Sequence, residues 1–149
     1  MALDTESGTL QRAREVMDQI DRLSTLSEDD SGLTRRYGTP ALRATQDQVA
    51  AWMSAAGMQT RRDSLGNLLG RYDGATSDAP TLILGSHLDS VRNAGKYDGP
   101  LGVLVAVAAI KHLHERTVRL PFAIEVAAFA DEEGTRFHTD YLGSRSYLG

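Results

Sequence analysis

The chain contains no cysteine. That absence excludes disulfides, thiolate metal sites and a cysteine nucleophile, and it fits a reducing cytoplasm. Any metal must therefore be held by histidine and carboxylates. A G-x-S-x-G elbow is missing, so there is no signature for a serine hydrolase, and no H-E-x-x-H helix is present. The longest mainly apolar stretch, from Leu101 to Ile110, is too short for a bilayer, which requires about 20 residues. The first dozen residues include Asp4 and Glu6 and lack an apolar h-region, so a secretory signal is not expected. There is no basic block to neutralise phosphates, and the net charge of -4 argues against nucleic acid as a partner. No repeat, low-complexity tract or interdomain linker is visible.

What is present reads as one cytoplasmic globular domain. The 149 residues are 41% hydrophobic and 24% charged, enough for a core and close to ordinary globular usage. Leu10, Ala13, Met17 and Ile20, with Val16 and Leu23 alongside, repeat at helical spacing, opposite Arg12, Arg14, Asp18 and Asp21. Residues 27–38 read as a surface loop. Thr39 as N-cap and Pro40 as first residue open a second helix, with Leu42, Thr45, Val49, Trp52, Met53 and Ala56 on its face and Gly57 ending it.

Two short strands, 59–63 and 67–72, flank a turn at Ser64-Leu65-Gly66 and predict a hairpin. After a turn-rich segment at 73–80, Thr81 to Ser86 reads as a buried strand. Residues 102–113 are apolar nearly all round, and their length and alanines favour a buried helix over a long strand. A second buried strand follows at 122–130. This order predicts a crossover unit with a parallel strand pair at the centre of an α/β sheet, in which other strands could run antiparallel, and whose sites lie beyond the carboxyl ends of the strands.

Both acidic clusters fall at such ends. The first lies in GSHLDSVRNAGKYDGPLGV, Gly85 to Val103. Alone, His87 reads as an ordinary hydrogen-bonding histidine and Asp98 as an N-cap or turn aspartate. Asp89, two residues after His87, changes this: a carboxylate there can hold one ring nitrogen and leave the other free for a metal. Asp98 has two oxygens and can bridge two cations. The second cluster is Asp131-Glu132-Glu133-Gly134. Acidic runs are usually solvated, but carboxylates crowded where apolar strands end repel one another unless cations compensate them. Adjacent glutamates can divide the work, one binding a cation and the other accepting a proton from the attacking water.

In order and spacing these motifs resemble the aminoacylase/carboxypeptidase superfamily of binuclear metal hydrolases. Within it they are most similar to the allantoate amidohydrolase and N-carbamoyl-amino-acid hydrolase branch. The likeness extends to AFADEEGTRF from Ala128, GLTRRYGTPALRA from Gly32 and DSLGNLLGR from Asp63. The resemblance implies an α/β fold: the N-terminal part of a three-layer catalytic domain with a central mixed sheet flanked by helices. It implies His87 and Glu133 as ligands of different metals, Asp98 as the bridging ligand, Glu132 as general base and Asp89 as the orienting carboxylate. Asp131 receives no role, and His112, His114 and His138 match no ligand position.

The implied cofactors are two divalent ions, zinc or manganese. The implied reaction is hydrolysis of linear amide or carbamoyl C–N bonds, with allantoate, giving ureidoglycolate-type products in purine catabolism, as the preferred small-molecule substrate. N-carbamoyl amino acids or 3-ureidopropionate come next, then peptidase or deacylase activity, then an inactive α/β module. Full-length relatives are implied to be homodimers. On the same ground residues 1–149 are expected to be a partial catalytic domain, lacking the remaining catalytic segment and a lid domain.

Overall fold

A computed structural model describes residues 6–149. The reading that no secretory signal is present rests partly on residues 1–5, which lie outside the described residues. The elements run α1 (Glu6–Ser24), α2 (Pro40–Ala55), β1 (Gln59–Arg62), β2 (Leu68–Tyr72), β3 (Thr81–His87), α3 (Pro100–Glu115), β4 (Ala123–Phe129) and α4 (Leu142–Leu148). No helix among them is long and apolar enough to cross a membrane.

The strands form one mixed sheet in the order β1-β2-β4-β3. β1 and β2 make the expected antiparallel hairpin, β2 is antiparallel to β4, and β3 lies parallel to β4 with His87 opposite Phe129. Because side chains alternate along a strand, β4 serves two layers. Ile124, Val126 and Ala128 join Val16, Ile20, Val49, Met53, Leu104 and Ile110 in a core that includes all three of α1, α2 and α3. Glu125 and Phe129 point to the opposite face, where Tyr147 of α4 meets both. The result is the expected three-layer α/β arrangement.

Local chemistry explains the best-defined elements. Thr39 is extended at φ -99° and its hydroxyl accepts from Leu42 N, while Gly57 takes φ +78° after the helix. At Gly70 the methionines pack closely on the strand: a Cβ there would stand 2.8 Å from the Met53 sulfur and push that flexible side chain aside.

Four expectations fail. The helix expected to be buried, α3, leaves Leu101 and Val105 exposed on one side. In α1, Leu10 and Met17 are exposed and the core stripe is Val16, Ile20 and Leu23; α1 packs mainly on α3, so only one narrow stripe is covered. The parallel pair expected at the centre of the sheet lies at its edge: among the described residues the predicted buried strand β3 is the outer strand, and Leu82 and Ile83 are exposed. Residues 27–38 form a loop, but not a surface one throughout: Leu33, Thr34 and Arg35 are buried. They are pinned to the segment after β3, with Ala94 N donating to Leu33 O and Ser90 N to Arg35 O.

Candidate metal centre

The centre is built where β3 and β4 end side by side. Parallel pairing in register carries His87, the last residue of β3, to the same level as the turn that follows β4. Ligand atoms of His87, Glu132 and Glu133 all lie within 4.8 Å of one another. His87 Nε2 stands 3.6 Å from Glu132 Oε2 and 3.7 Å from Asp98 Oδ1. His87, Asp98 and the adjacent pair Glu132-Glu133, three separate stretches of the sequence, thus face a common space. The histidine is buried, whereas Asp98 is 65% exposed, so the site opens to solvent on the Asp98 side.

The imidazole is oriented from behind. His87 Nδ1 is 3.0 Å from the main-chain oxygen of Asp89. A carbonyl only accepts, so Nδ1 is the donor in this contact and Nε2 is the ring nitrogen turned to the site. The Asp89 carboxylate is not the direct partner, since its Oδ1 is 3.8 Å from the ring. Its other oxygen accepts from Glu133 N at 3.2 Å, tying the segment after β3 to the turn after β4.

That turn has its own supports. Asp131 at φ +51° and Gly134 at φ +60° reverse the chain in the left-handed region. Tyr141, Leu142 and Gly143 donate from their main-chain nitrogens to Glu132 O, Asp131 O and Gly143's partner Ala130 O. Buried Asn67 clamps the same place: its Oδ1 accepts from Ala130 N at 2.8 Å, and its Nδ2 donates to Asp63 Oδ2 at 2.7 Å and Gly143 O at 3.0 Å. On the other side Gly99, at φ +84°, precedes α3. A Cβ on it would lie 2.6 Å from His87 O and 2.7 Å from the ring. Gly99, not Asp98, is the N-cap of α3 and no side chain caps that helix, so Asp98 is not spent on capping.

The electrostatics are those of carboxylates short of cations. Glu133 is raised above the ordinary carboxyl range first by burial, then by the charges of Asp98 and Glu132, with His87 opposing. Asp89 and Asp131 are raised chiefly by burial as well. Glu133 Oε1, Asp89 Oδ1 and both oxygens of Asp131 are buried without a close hydrogen-bond partner. Of these, Glu133 Oε1 belongs to the group formed with His87 and Glu132, and a buried carboxylate oxygen without a partner beside an imidazole suits a divalent cation. His112, His114 and His138 are not among the grouped ligands; the His114 ring packs edge-on to Tyr72.

The model of peptidase family M28 matches residues 67–149. The chain belongs to that family. It is 38% identical to allantoate deiminase 1 of Glycine max over 97% of this chain and 32% of that protein. It is 44% identical to N-carbamoyl-L-amino acid amidohydrolase of Geobacillus stearothermophilus over 82% of this chain and 30% of that protein. A crystal structure of a hydantoinase/carbamoylase family amidase from Burkholderia ambifaria superposes with a TM-score of 0.86 at 31% identity, covering 93% of this chain and 34% of the other. The chain spans about a third of the length of the curated relatives it matches.

The residues missed by sequence reading are Arg35, Asn67 and Gly99. Gly99 had a usable signal, its place between Asp98 and Pro100. Arg35 had none: adjacent Arg36 is the same residue type and lies on the surface against Glu28.

Proposed function

We propose that this chain carries part of the active site of a metal-dependent amidohydrolase that cleaves linear amide or carbamoyl C–N bonds. The observation that carries the reading is the meeting of ligand atoms of His87, Glu132 and Glu133 within 4.8 Å of one another, with Asp98 Oδ1 3.7 Å from His87 Nε2. His87 and Glu133 would hold two divalent cations with Asp98 between them, zinc and manganese both suiting the donors. Bound there, the cations supply Lewis-acid polarisation and a more acidic water.

The chain's own residues do the rest. Asp89 O keeps the His87 ring with Nε2 toward the site. The Glu132 carboxylate takes the proton from water as the water oxygen bonds to the carbonyl carbon. The same group then delivers that proton to the leaving nitrogen as the C–N bond breaks. Asp89 orients, through its main-chain oxygen and its bond to Glu133 N.

For substrate, relatives named for allantoate and for N-carbamoyl amino acids favour a small ureido compound, with allantoate first. Residues 1–149 would then be part of a larger catalytic domain, homodimeric in its complete form and cytoplasmic. The family's name favours peptidase or deacylase action as the second reading. Ammonia release from allantoate and from N-carbamoyl amino acids, measured beside dipeptide cleavage on a version extended to its relatives' length, separates them. Cleavage of dipeptides alone would reject the amidohydrolase reading.

A further inference from the structure

Arg35 is 1% exposed and heads the fully buried side chains by size, yet the chemistry above does not use it. Its Nε donates to Leu88 O at 3.1 Å and its Nη1 to Leu23 O at 2.6 Å. The main chain is engaged too: Arg35 N donates to Ser90 Oγ at 2.9 Å, and Ser90 N donates to Arg35 O at 3.0 Å. These bonds bracket Asp89. The peptide entering Asp89 is held at the Leu88 carbonyl by the guanidinium. The peptide leaving it is held at the Ser90 N–H by the Arg35 carbonyl. The oxygen of that second peptide, Asp89 O, is the acceptor for the His87 ring.

Packing alone does not call for a cation here. Burial pushes the guanidinium down to about 10, with the Asp89 carboxylate opposing, so it stays charged at neutral pH in a place where an apolar side chain would avoid the desolvation cost. What an apolar residue cannot do is donate to two carbonyls in different directions. The planar fork of arginine does so, joining the end of α1 to the segment after β3.

We propose that Arg35 is a positioning residue for His87. By fixing the Leu88 carbonyl against the end of α1, it holds the Asp89 main chain so that the imidazole keeps its proton on Nδ1 and turns Nε2 toward Asp98 and Glu132. The metal-dependent reading enters only in what Nε2 then does.

The test is long-range ¹H–¹⁵N correlation of the His87 ring in the labelled chain at about pH 8, where an unperturbed imidazole is neutral. The unsubstituted chain is expected to show the Nδ1–H tautomer and a slowly exchanging Arg35 Nε–H. Arg35→Met is expected to average the two tautomers in a chain that keeps its native amide dispersion. Arg35→Lys, which reaches one carbonyl, is expected to fall between. A merely structural role lowers the thermal midpoint without moving the tautomer, so folded variants that retain Nδ1–H overturn the proposal. Should neither variant fold, the unsubstituted chain decides: an Arg35 Nε–H exchanging as fast as a solvent-exposed guanidinium, or an Nε2–H tautomer, overturns it. Zinc added to the unsubstituted chain tests the metal reading separately, since an unmoved Nε2 resonance rejects that reading and leaves the Arg35 result intact.

Discussion

Glu132 and Glu133 are neighbours in sequence with different surroundings. Glu133 has a buried oxygen with no partner, whereas the Glu132 side chain keeps 28% exposure, which suits a group that takes up and releases protons. In a complete homologue, the Gln variant at the position of Glu132 is expected to retain its metals and lose about 10²–10⁴-fold in kcat; near-normal turnover would remove Glu132 as the base. Gly99→Ala places a methyl against both the oxygen and the ring of His87 in a left-handed backbone. It is expected to cost about 1–3 kcal/mol and to shift the His87 ring resonances, and unchanged resonances would show that the contact relaxes freely. Asp131 is wholly buried, and burial followed by the Asp89 charge raises its carboxyl above the ordinary 3.8. A group that binds its proton more tightly when folded contributes stability that is full below 3.8 and is lost as pH rises through the folded value. Asp131→Asn should therefore lessen the fall in thermal midpoint of the metal-free chain as pH rises above 3.8. An undiminished fall would place the burden on other groups.

Where an element's chemistry was local, the sequence disclosed it; where it depended on neighbours, the sequence misled. Thr39, Pro40 and Gly57 bound α2 by hydrogen bonding and backbone preference alone, and α2 was legible to within a residue of its end. The apolar run of β3 reads the same whether the strand is central or outermost, because composition records hydrophobicity and not which strand lies alongside. Residues 27–38 were misjudged for the opposite reason: polar loop composition hides a segment whose Arg35 is buried by distant contacts with Leu88 and Ser90. The turn after β4 depends on a β2-flanking residue in the same way. Asn67→Ala would leave Ala130 N, Gly143 O and Asp63 Oδ2 short of partners and is expected to destabilise the chain by about 2–3 kcal/mol, read from urea midpoints at constant slope. A loss below about 0.5 kcal/mol would mean that water replaces the amide without cost.

For the molecule as a whole, a sheet with a full helical layer on one face and α4 on the other brings the ends of β3 and β4 together, and that juxtaposition makes scattered acidic residues into one centre. The candidate residues and the α/β class were legible because motif order along the chain maps directly onto parallel strand ends. The Asp89 contact was not, since a main-chain oxygen has no letter in a sequence. With one histidine in the grouped set among the described residues, the chain is expected to bind divalent ions weakly. The most direct measurement is titration of the labelled chain with Mn²⁺, following paramagnetic broadening residue by residue. The account predicts that resonances of His87, Asp98, Glu132 and Glu133 broaden together and first, with Zn²⁺ competing the effect away. Broadening that begins at other acidic residues and spares these four would contradict it.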